Sequence, residues 1–413
     1  MKILNIGSSN IDYVYSLDHI ALVGETEAAK GLNVFPGGKG LNQSIAIKRA
    51  GKDVYHAGCI GEGGDFLLDL LEENGVDVSF VDRVAERNGH AIIQVSRDGD
   101  NTIFLYRGSN GMISREQIDR ILCAFSKGDI LVLQNEINNL DYIIEKAHQA
   151  QMTIVLNPSP MNEVIASIDL NKISYLILNE IEANAITSTT DIQEALSYFE
   201  RKHPSLKVML TLGSKGCAYQ EGARQIFCPA FKVSAVDTTG AGDTFTGYFI
   251  VGIARGEKIE KILRAACCAA AISITREGAA PSIPYMNEVA QQINRLCPSR
   301  ADLKTEMSRM KIDEYLDAHL PDASLKGLAD FLGYSSVYTG TFVKKITGKS
   351  YKRLLQEKRL AMAEMLLSQS DLPIDEIIKK TGYENASFFR RMFKEKYGTT
   401  PLNYRKSLSL DSL

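Results

Sequence analysis

Over its first three hundred residues the chain alternates short β-branched runs with amphipathic stretches of helical spacing, and few folds accept that pattern. The runs Ile3–Gly7, Val54–Cys59, Ile130–Gln134, Thr153–Asn157, Tyr175–Leu178 and Val208–Leu212 have strand length. Asn42–Ala50, Phe66–Asn74 and Leu140–Ala150 lie between them, apolar on one helical face. Parallel strands need long crossovers, so the alternation predicts a layered α/β domain with a largely parallel sheet. One interval departs from it. Gly89–Val95 and Thr102–Arg107 flank Arg97-Asp98-Gly99-Asp100, which predicts a hairpin with an Asp-Gly turn and no helix. Such an outlying hairpin is placed to serve as a lid.

The pattern changes near residue 297. Met286–Leu296 reads as a last helix, Pro298 stops it and Asp302 can cap the next one. This places domains at 1–297 and 305–407 with a linker at 298–304. Beyond it every pattern is helical until a tail at Ser407–Leu413. Charge changes sign at the same place: residues 305–413 hold 18 Lys+Arg against 14 Asp+Glu, leaving 29 against 36 in residues 1–304. An acidic body with a basic appendage suits nucleic acid at one end only. No apolar run approaches the roughly 20 residues of a membrane span. Asn5, Ser8, Ser9, Asn10 and Asp12 interrupt the first apolar stretch, so it reads as a strand and not as a signal peptide. The seven cysteines (Cys59, Cys123, Cys217, Cys228, Cys267, Cys268 and Cys297) show no CxxC spacing. They read as free thiols of a cytoplasmic protein, with neither zinc nor a disulfide framework implied.

The densest chemistry lies in Asp237-Thr238-Thr239-Gly240-Ala241-Gly242-Asp243-Thr244-Phe245, expected between an apolar strand, Phe231–Val236, and a helix, Thr244–Ala254. Gly240 and Gly242 let the backbone turn tightly and bring its N–H groups to an anion, with the Asp243 carboxylate beside it. An amide cradle and a base suit phosphoryl transfer. A Gly-rich turn with Asp243 as helix cap is the plainer use of the same residues. Further polar clusters follow predicted strands, on the carboxyl edge where open α/β sheets place ligands. They are Asn10 with Asp12; Gly37-Gly38-Lys39-Gly40 with Asn42; Glu136; Asn179 with Glu182; and Thr211-Leu212-Gly213-Ser214-Lys215-Gly216. A turn, a cap or a surface carboxylate explains each one alone. Together on one sheet edge they point to a ligand site.

These residues carry a resemblance. Pro36-Gly37-Gly38-Lys39-Gly40-Leu41-Asn42, continuing to Gly58-Cys59-Ile60-Gly61, and Asp237 to Gly247 resemble the two signatures of the PfkB-type carbohydrate kinases, across residues 1–296. Asn10/Asp12 and Leu156-Asn157-Pro158-Ser159-Pro160 point to the ribokinase branch. The resemblance implies a three-layer α/β/α fold with a small β lid and ATP-dependent phosphorylation of a sugar hydroxyl. Ribose is the first expectation; deoxyribose, fructose or a nucleoside are the alternatives. By motif position it assigns Asn10, Asp12, Gly38, Lys39, Gly40, Asn42 and Glu136 to the sugar. Asp243 becomes the base, and the N–H groups of Gly240, Ala241 and Gly242 hold the phosphate. Asn179 and Glu182 arrange Mg2+ through water, and Thr211 to Gly216, with Gly242 and Cys267, bind ATP. Asp237, Thr239, Ser273, Arg276, Gly278 and Ser282 surround a monovalent cation such as K+. Cys267 departs from the His or Asn common in relatives. Ribokinase lids pair across a dimer, so a homodimer is expected.

The second domain contains two similar patterns. Ser324–Leu332 turns at Gly333-Tyr334 into Ser336–Thr347, and Ile374–Thr381 turns at Gly382-Tyr383 into Ala386–Tyr397, with a strong helix pattern at Tyr351–Ser368 between them. Paired helices with basic outer faces suit double-stranded DNA; a protein-binding bundle is the alternative. Gly382–Lys394, Tyr397–Arg405 and Arg359–Ala363 with Leu366-Leu367 resemble the AraC/XylS transcription regulators. That resemblance implies an all-α domain with two helix-turn-helix units. Asn385, Ala386, Ser387 and Arg391 would face base edges, Arg390 and Lys394 would lie nearer phosphate, and Ser336, Thr341 and Lys344 would contact DNA from the first unit. Thr339, Gly340 and Thr341 replace a common Leu-Ser-Arg, which weakens base reading there. The fusion predicts a sugar kinase that also regulates transcription, or a regulator using the kinase fold as a sensor.

Overall fold

The strands expected from the β-branched runs all form, and others join them. In chain order they are β1 (Ile3–Ile6), β2 (Asn10–Ser16), β3 (Gly31–Gly37), β4 (Tyr55–Glu62), β5 (Asp77–Arg87), β6 (His90–Val95), β7 (Asn101–Tyr106), β8 (Ile130–Gln134), β9 (Thr153–Asn157), β10 (Tyr175–Asn179), β11 (Lys207–Thr211), β12 (Cys217–Glu221) and β13 (Arg224–Cys228). This computed structural model describes residues 1–97, 100–293, 300–370 and 372–410, so the Asp98-Gly99 turn and the Pro298-Ser299 stop lie outside the described residues. Two units form, Met1–Cys297 and Pro298–Leu413.

Nine strands of the first unit make one sheet in the order β13-β12-β11-β10-β9-β8-β1-β4-β5. From β11 to β5 every pairing is parallel; β12 and β13 add an antiparallel hairpin at one edge, which the sequence reading did not anticipate. Central strands are buried on both faces. Ile130 and Val132 pack with Leu41, Ile45, Phe249 and Leu263 from three helices, while Leu131 and Leu133, equally buried, alternate to the other face. Because β1 lies between β4 and β8, the strand order reverses beside it, and open α/β sheets bind ligands outside the carboxyl ends of the strands at such a point.

The lid is larger than expected. β6 and β7 form the predicted hairpin, but β2 and β3 complete a four-stranded sheet in the order β3-β2-β6-β7. Asp12 is therefore a lid residue, opposite Phe35 on β3 and Ala91 on β6.

Four local expectations fail. Residues 231–236 form no strand; the N–H groups of Val236 and Asp237 instead donate to the Ile274 carbonyl, at 2.7 and 3.2 Å. The following helix starts early, at Ala241–Ala254, because Gly240 takes a left-handed φ of 72° and serves as its N-cap. At the boundary, the helix Arg300–Ala318 begins inside the expected linker, so Asp302 lies in its first turn and not at its cap. The last helix, Pro401–Leu410, runs past Ser407.

The second unit has two small cores. Ile312, Tyr315, Leu316, Leu328 and Val343 make one; Leu360, Ala363, Leu367, Ile377, Phe389 and Phe393 make the other. The helix Tyr351–Gln369 serves both, placing Leu354 and Leu355 against the first and Leu360, Ala363 and Leu367 in the second. Each short helix pair turns at a left-handed glycine, Gly333 at φ 70° and Gly382 at φ 78°.

Candidate active site

Asp243 stands in the first turn of the helix Ala241–Ala254, and its carboxylate is 7% exposed. Two amides hold it: Asn42 Nδ2 donates to one oxygen at 3.0 Å and Gln43 Nε2 to the other at 2.9 Å. Both amides come from the start of the helix Lys39–Arg49, so two helix N-termini meet at this carboxylate. Gly242 and Asp243 occupy positions whose backbone N–H groups have no intrahelical partner, and a Cβ on Gly242 would meet nothing within 4 Å. Gly242 and Asp243 therefore offer donors beside a fixed acceptor, while the Ala241 N–H donates to Thr238 O at 3.3 Å. Asn42 Oδ1 is buried without a hydrogen-bond partner, which leaves an acceptor beside Asp243 for an incoming hydroxyl.

Behind Asp243 runs a buried polar chain that the sequence reading missed. Gln134 Nε2 donates to Gln43 Oε1 at 2.8 Å and to Asn5 Oδ1 at 3.0 Å, and Asn5 Nδ2 donates to Gly40 O and Ser44 Oγ, both at 2.8 Å. Ser44 continues to His56, and His56 to Ser9. Gln43 is 0% exposed; a fully buried glutamine near a helix's start was the available signal, but burial is not visible in residue type.

The predicted sugar-side residues converge. Glu136, in the turn after β8, accepts from the Lys39 backbone N–H at 3.1 Å and from the Ser8 hydroxyl. Asn110 Nδ2 donates to Asn10 Oδ1 at 2.7 Å, fixing Asn10. Gly38 has a φ of 93°, and a Cβ there would press on the Asn10 N and Ser8 O atoms, so only glycine fits. A Cβ on Gly40 would collide with the backbone of Gly7 and Ser8. Electrostatics follow the geometry. Burial, then the charges of Glu136 and Asp243, raise the Asp12 pKa to about 7, with Lys39 opposing. Burial also lifts Glu136, against the pull of Lys39 and of its hydrogen bonds. Burial alone would lower Lys39, yet the carboxylates of Asp243, Glu136, Glu182 and Asp12 together hold it above the usual lysine range. One ammonium thus sits among four carboxylates from four separate chain segments.

The nucleotide-side residues are held mainly by backbone. Asn179 and Glu182 form a reciprocal capping box: Asn179 Oδ1 accepts from the Glu182 N–H and Glu182 Oε2 from the Asn179 N–H, each at 2.9 Å. Their second functional atoms remain available, so the cap and the ligand readings coexist. Thr211 closes β11 and its hydroxyl donates to Leu178 O at 3.3 Å, while Leu212 is buried and offers only its backbone. Gly213, Ser214 and Lys215 are exposed, and Gly216 turns with a φ of 111°. Cys267 differs from expectation. It is buried, and its sulfur lies 3.5 Å from that of Cys217 rather than facing an open site.

Of the cation set, Asp237, Thr239 and Gly278 are directly joined. The Asp237 carboxylate accepts from Thr239 N at 2.9 Å, Thr239 Oγ1 at 2.6 Å and Gly278 N at 2.9 Å; against the upward pull of burial, these bonds lower its pKa. The hydroxyls of Ser273 and Ser282 donate to nearby carbonyls and Arg276 pairs with Glu288, so none of the three aims a side chain at Asp237 in these contacts.

In the second unit the helix Ala386–Tyr397 buries Phe389 and Phe393 and exposes Ser387, Arg390, Arg391 and Lys394, with Ala386 half-buried. Arg391 stacks over the Phe388 ring at 5.3 Å, and Arg390 pairs with Asp375 at 3.3 Å. Asn385 is the helix N-cap, its Oδ1 accepting from the Phe388 N–H at 2.9 Å; only its Nδ2 is left for a base edge. In the first unit Ser336, Thr341 and Lys344 are exposed, but the Thr341 hydroxyl donates back to Tyr338 O at 2.8 Å. Val337 and Tyr338, 85% and 52% exposed, dominate that face.

Known proteins match this arrangement. Residues 1–286 match the pfkB family of carbohydrate kinases, and residues 328–407 match a helix-turn-helix domain. A ribokinase of Bacillus subtilis is 33% identical over 293 residues, covering 70% of this chain and 98% of that one. A ribokinase of Cryptococcus neoformans, solved in complex with ADP, superposes with a TM-score of 0.64 at 32% identity over 70% of this chain and 99% of its own. The ribokinase of Arabidopsis thaliana, complexed with ribose and ATP, gives 0.63 at 28% identity over 71% and 98%. Among the described residues no helix is long and apolar enough to cross a membrane. With the buried carboxylate, the amide cradle and the lid in their places, the chain belongs to the pfkB family as a ribokinase-like, ATP-using carbohydrate kinase, and it carries a DNA-binding helix-turn-helix domain of the AraC/XylS type.

Proposed function

We propose that this protein transfers the terminal phosphate of ATP to the primary hydroxyl of a pentose, ribose foremost. The observation that carries the reading is Asp243, a buried carboxylate locked by Asn42 and Gln43 beside free backbone donors. Asn10, Asp12, Gly38, Lys39, Gly40, Asn42 and Glu136 receive the sugar, whose adjacent hydroxyls need paired donors and acceptors. Asp243 takes the proton of the attacking hydroxyl as its oxygen bonds to phosphorus and the bond to the ADP oxygen breaks; such a base is worth about 10²–10⁴-fold. The N–H groups of Gly240, Ala241, Gly242 and Asp243 stabilise charge on the transferring group.

Mg2+ fits the free Glu182 oxygen and Asn179 through water, since this ion keeps several waters, and when bound it neutralises phosphate charge. Asp237 already accepts three hydrogen bonds, so K+ beside it rests largely on backbone carbonyls near Thr239 and Gly278. The lid leaves Leu32, Val34, Ile92, Phe104 and Tyr106 exposed, an apolar area suited to pairing with a second lid in a homodimer. The second unit makes the protein a transcription regulator whose DNA affinity responds to sugar or nucleotide.

A coupled ADP-release screen over pentoses, hexoses and nucleosides tests the reaction. Ribose should give the highest kcat/KM, and Asp243→Asn should lower kcat by about 10³-fold with substrate binding retained. Turnover surviving in that variant, or no carbohydrate phosphorylated, overturns the reading. For the second unit, DNA affinity should change when ribose and ATP are added, and Arg391→Ala should weaken specific binding by about 1–3 kcal/mol. Identical binding curves remove the coupling.

A further inference from the structure

Three cysteines distant in sequence meet beneath the loop 211–216. Cys217 opens β12, Cys228 closes β13 as its register partner, and Cys267 lies on the helix Ile259–Ser273. Their sulfurs all lie within 4.8 Å of one another, with Cys217 and Cys267 at 3.5 Å. All three residues are buried. A metal held by thiolates at about 2.3 Å keeps its sulfurs roughly 3.8–4.0 Å apart, so the trio needs only small adjustments to close on one ion. An all-sulfur set selects thiophilic ions such as Cu(I), Zn2+ or Cd2+ over the hard Mg2+ of phosphoryl transfer.

We propose that Cys217, Cys228 and Cys267 bind a single thiophilic metal ion, and that its occupancy sets the shape of the loop 211–216. Binding forms three metal–sulfur bonds and releases the thiol protons to solvent, with no change of oxidation state. The link to the loop is covalent and steric. Gly216 directly precedes Cys217, and its backbone packs so closely on β13 that a Cβ would collide with the Cys228 carbonyl. The Ala230 N–H, just past Cys228, donates to Lys215 O at 3.4 Å. Drawing the sulfurs together therefore shifts the strand ends against which Lys215 and Gly216 rest. The metal site stands on these contacts alone; its effect on ATP rests on the kinase reading.

The test uses the full chain, reduced without added thiols and titrated with Cd2+. A thiolate-to-metal charge-transfer absorption should saturate at one ion per chain, and X-ray absorption should count three sulfurs. Cys228→Ser should weaken binding about tenfold or more, whereas Cys123→Ser, an exposed residue outside the trio, should leave it unchanged. In the ADP-release assay one equivalent of Cd2+ should raise the KM for ATP in the native chain and not in Cys228→Ser, whose basal turnover should match the native value. Absence of the absorption, an unchanged band in Cys228→Ser, or fewer than three sulfurs in the native chain overturns the site, whether or not the protein phosphorylates sugar. A normal band with an unmoved KM overturns the coupling alone. The sulfur count needs no variant, so a misfolded Cys228→Ser leaves it decisive.

Discussion

The two sides of the kinase cleft come from the same device, polar residues at the carboxyl ends of parallel strands, yet they are held differently. On the sugar side Asn10, Asn42, Gln43, Glu136 and Asp243 are buried; Asn42 and Gln43 hold Asp243, Asn110 holds Asn10, and Ser8 with the Lys39 backbone holds Glu136. On the nucleotide side Asn179, Gly213, Ser214 and Lys215 are exposed and Glu182 is buried; a capping box joins Asn179 to Glu182, and Gly216 in a left-handed conformation turns the loop 211–216. A buried network fixes orientation before substrate arrives, at a cost in folding stability. An exposed loop shaped by backbone depends little on any one side chain. Side-chain substitutions should therefore act strongly on one side and weakly on the other.

The sharpest way to break the contrast is Gln43. Gln43→Leu strips one donor from Asp243 and leaves Gln134 short of an acceptor. We expect kcat to fall about 10–100-fold with a smaller change in sugar KM, and stability to fall about 1–3 kcal/mol from the unpaired buried groups. Gln43→Glu separates positioning from packing. A carboxylate there repels the ionised form of Asp243, so the acid limb of the kcat–pH profile should move to higher pH. An unmoved profile would mean that Gln43 only fills space.

Asp12 should show a smaller effect with opposite signs for stability and binding. Its folded pKa, about 7, lies above that of an unfolded aspartate. Between roughly pH 4 and 7 the folded state retains a proton that the unfolded state has lost, so stability falls as pH rises across that window and levels off above it. Asp12→Asn removes the penalty and should stabilise the protein at pH 8 by about 1–3 kcal/mol, flattening the pH dependence of its thermal unfolding. The same variant should raise the sugar KM several-fold, about 1 kcal/mol of lost hydrogen bonding. A variant less stable at pH 8 would show that the ionised carboxylate is welcome in the fold.

How far these differences could be read from sequence depended on where the information lay. The strands, the Gly-rich turns and the carboxylate at position 243 are local signals, and each was legible. Gln43, Gln134 and Asn110 were not, because their role is set by partners 91 to 200 residues away and by burial that residue type does not reveal. The helix at residue 241 was placed three residues late, since a left-handed Gly240 as N-cap lets it start inside the glycine run. The cysteines misled most. Their spacing, 217, 228 and 267, carries no motif, and only the antiparallel register of β12 with β13 brings two of them side by side.

The smallest expected effect comes from Lys215, and it tests the exposed side of the contrast. Its ammonium lies 3.4 Å from Glu180 Oε1, with both side chains about half exposed. Water screens such a pair and two long side chains must be ordered to keep it, so its worth is roughly 0–1 kcal/mol. Lys215→Ala should leave thermal stability within about 0.5 kcal/mol. The KM for ATP should rise no more than about fivefold, or 1 kcal/mol, because the loop keeps its turn at Gly216 and its tie from the Lys215 carbonyl to Ala230, which alanine preserves. A loss of a hundredfold would place the ammonium on a phosphate and make the nucleotide side as dependent on one side chain as the sugar side is on Asp243.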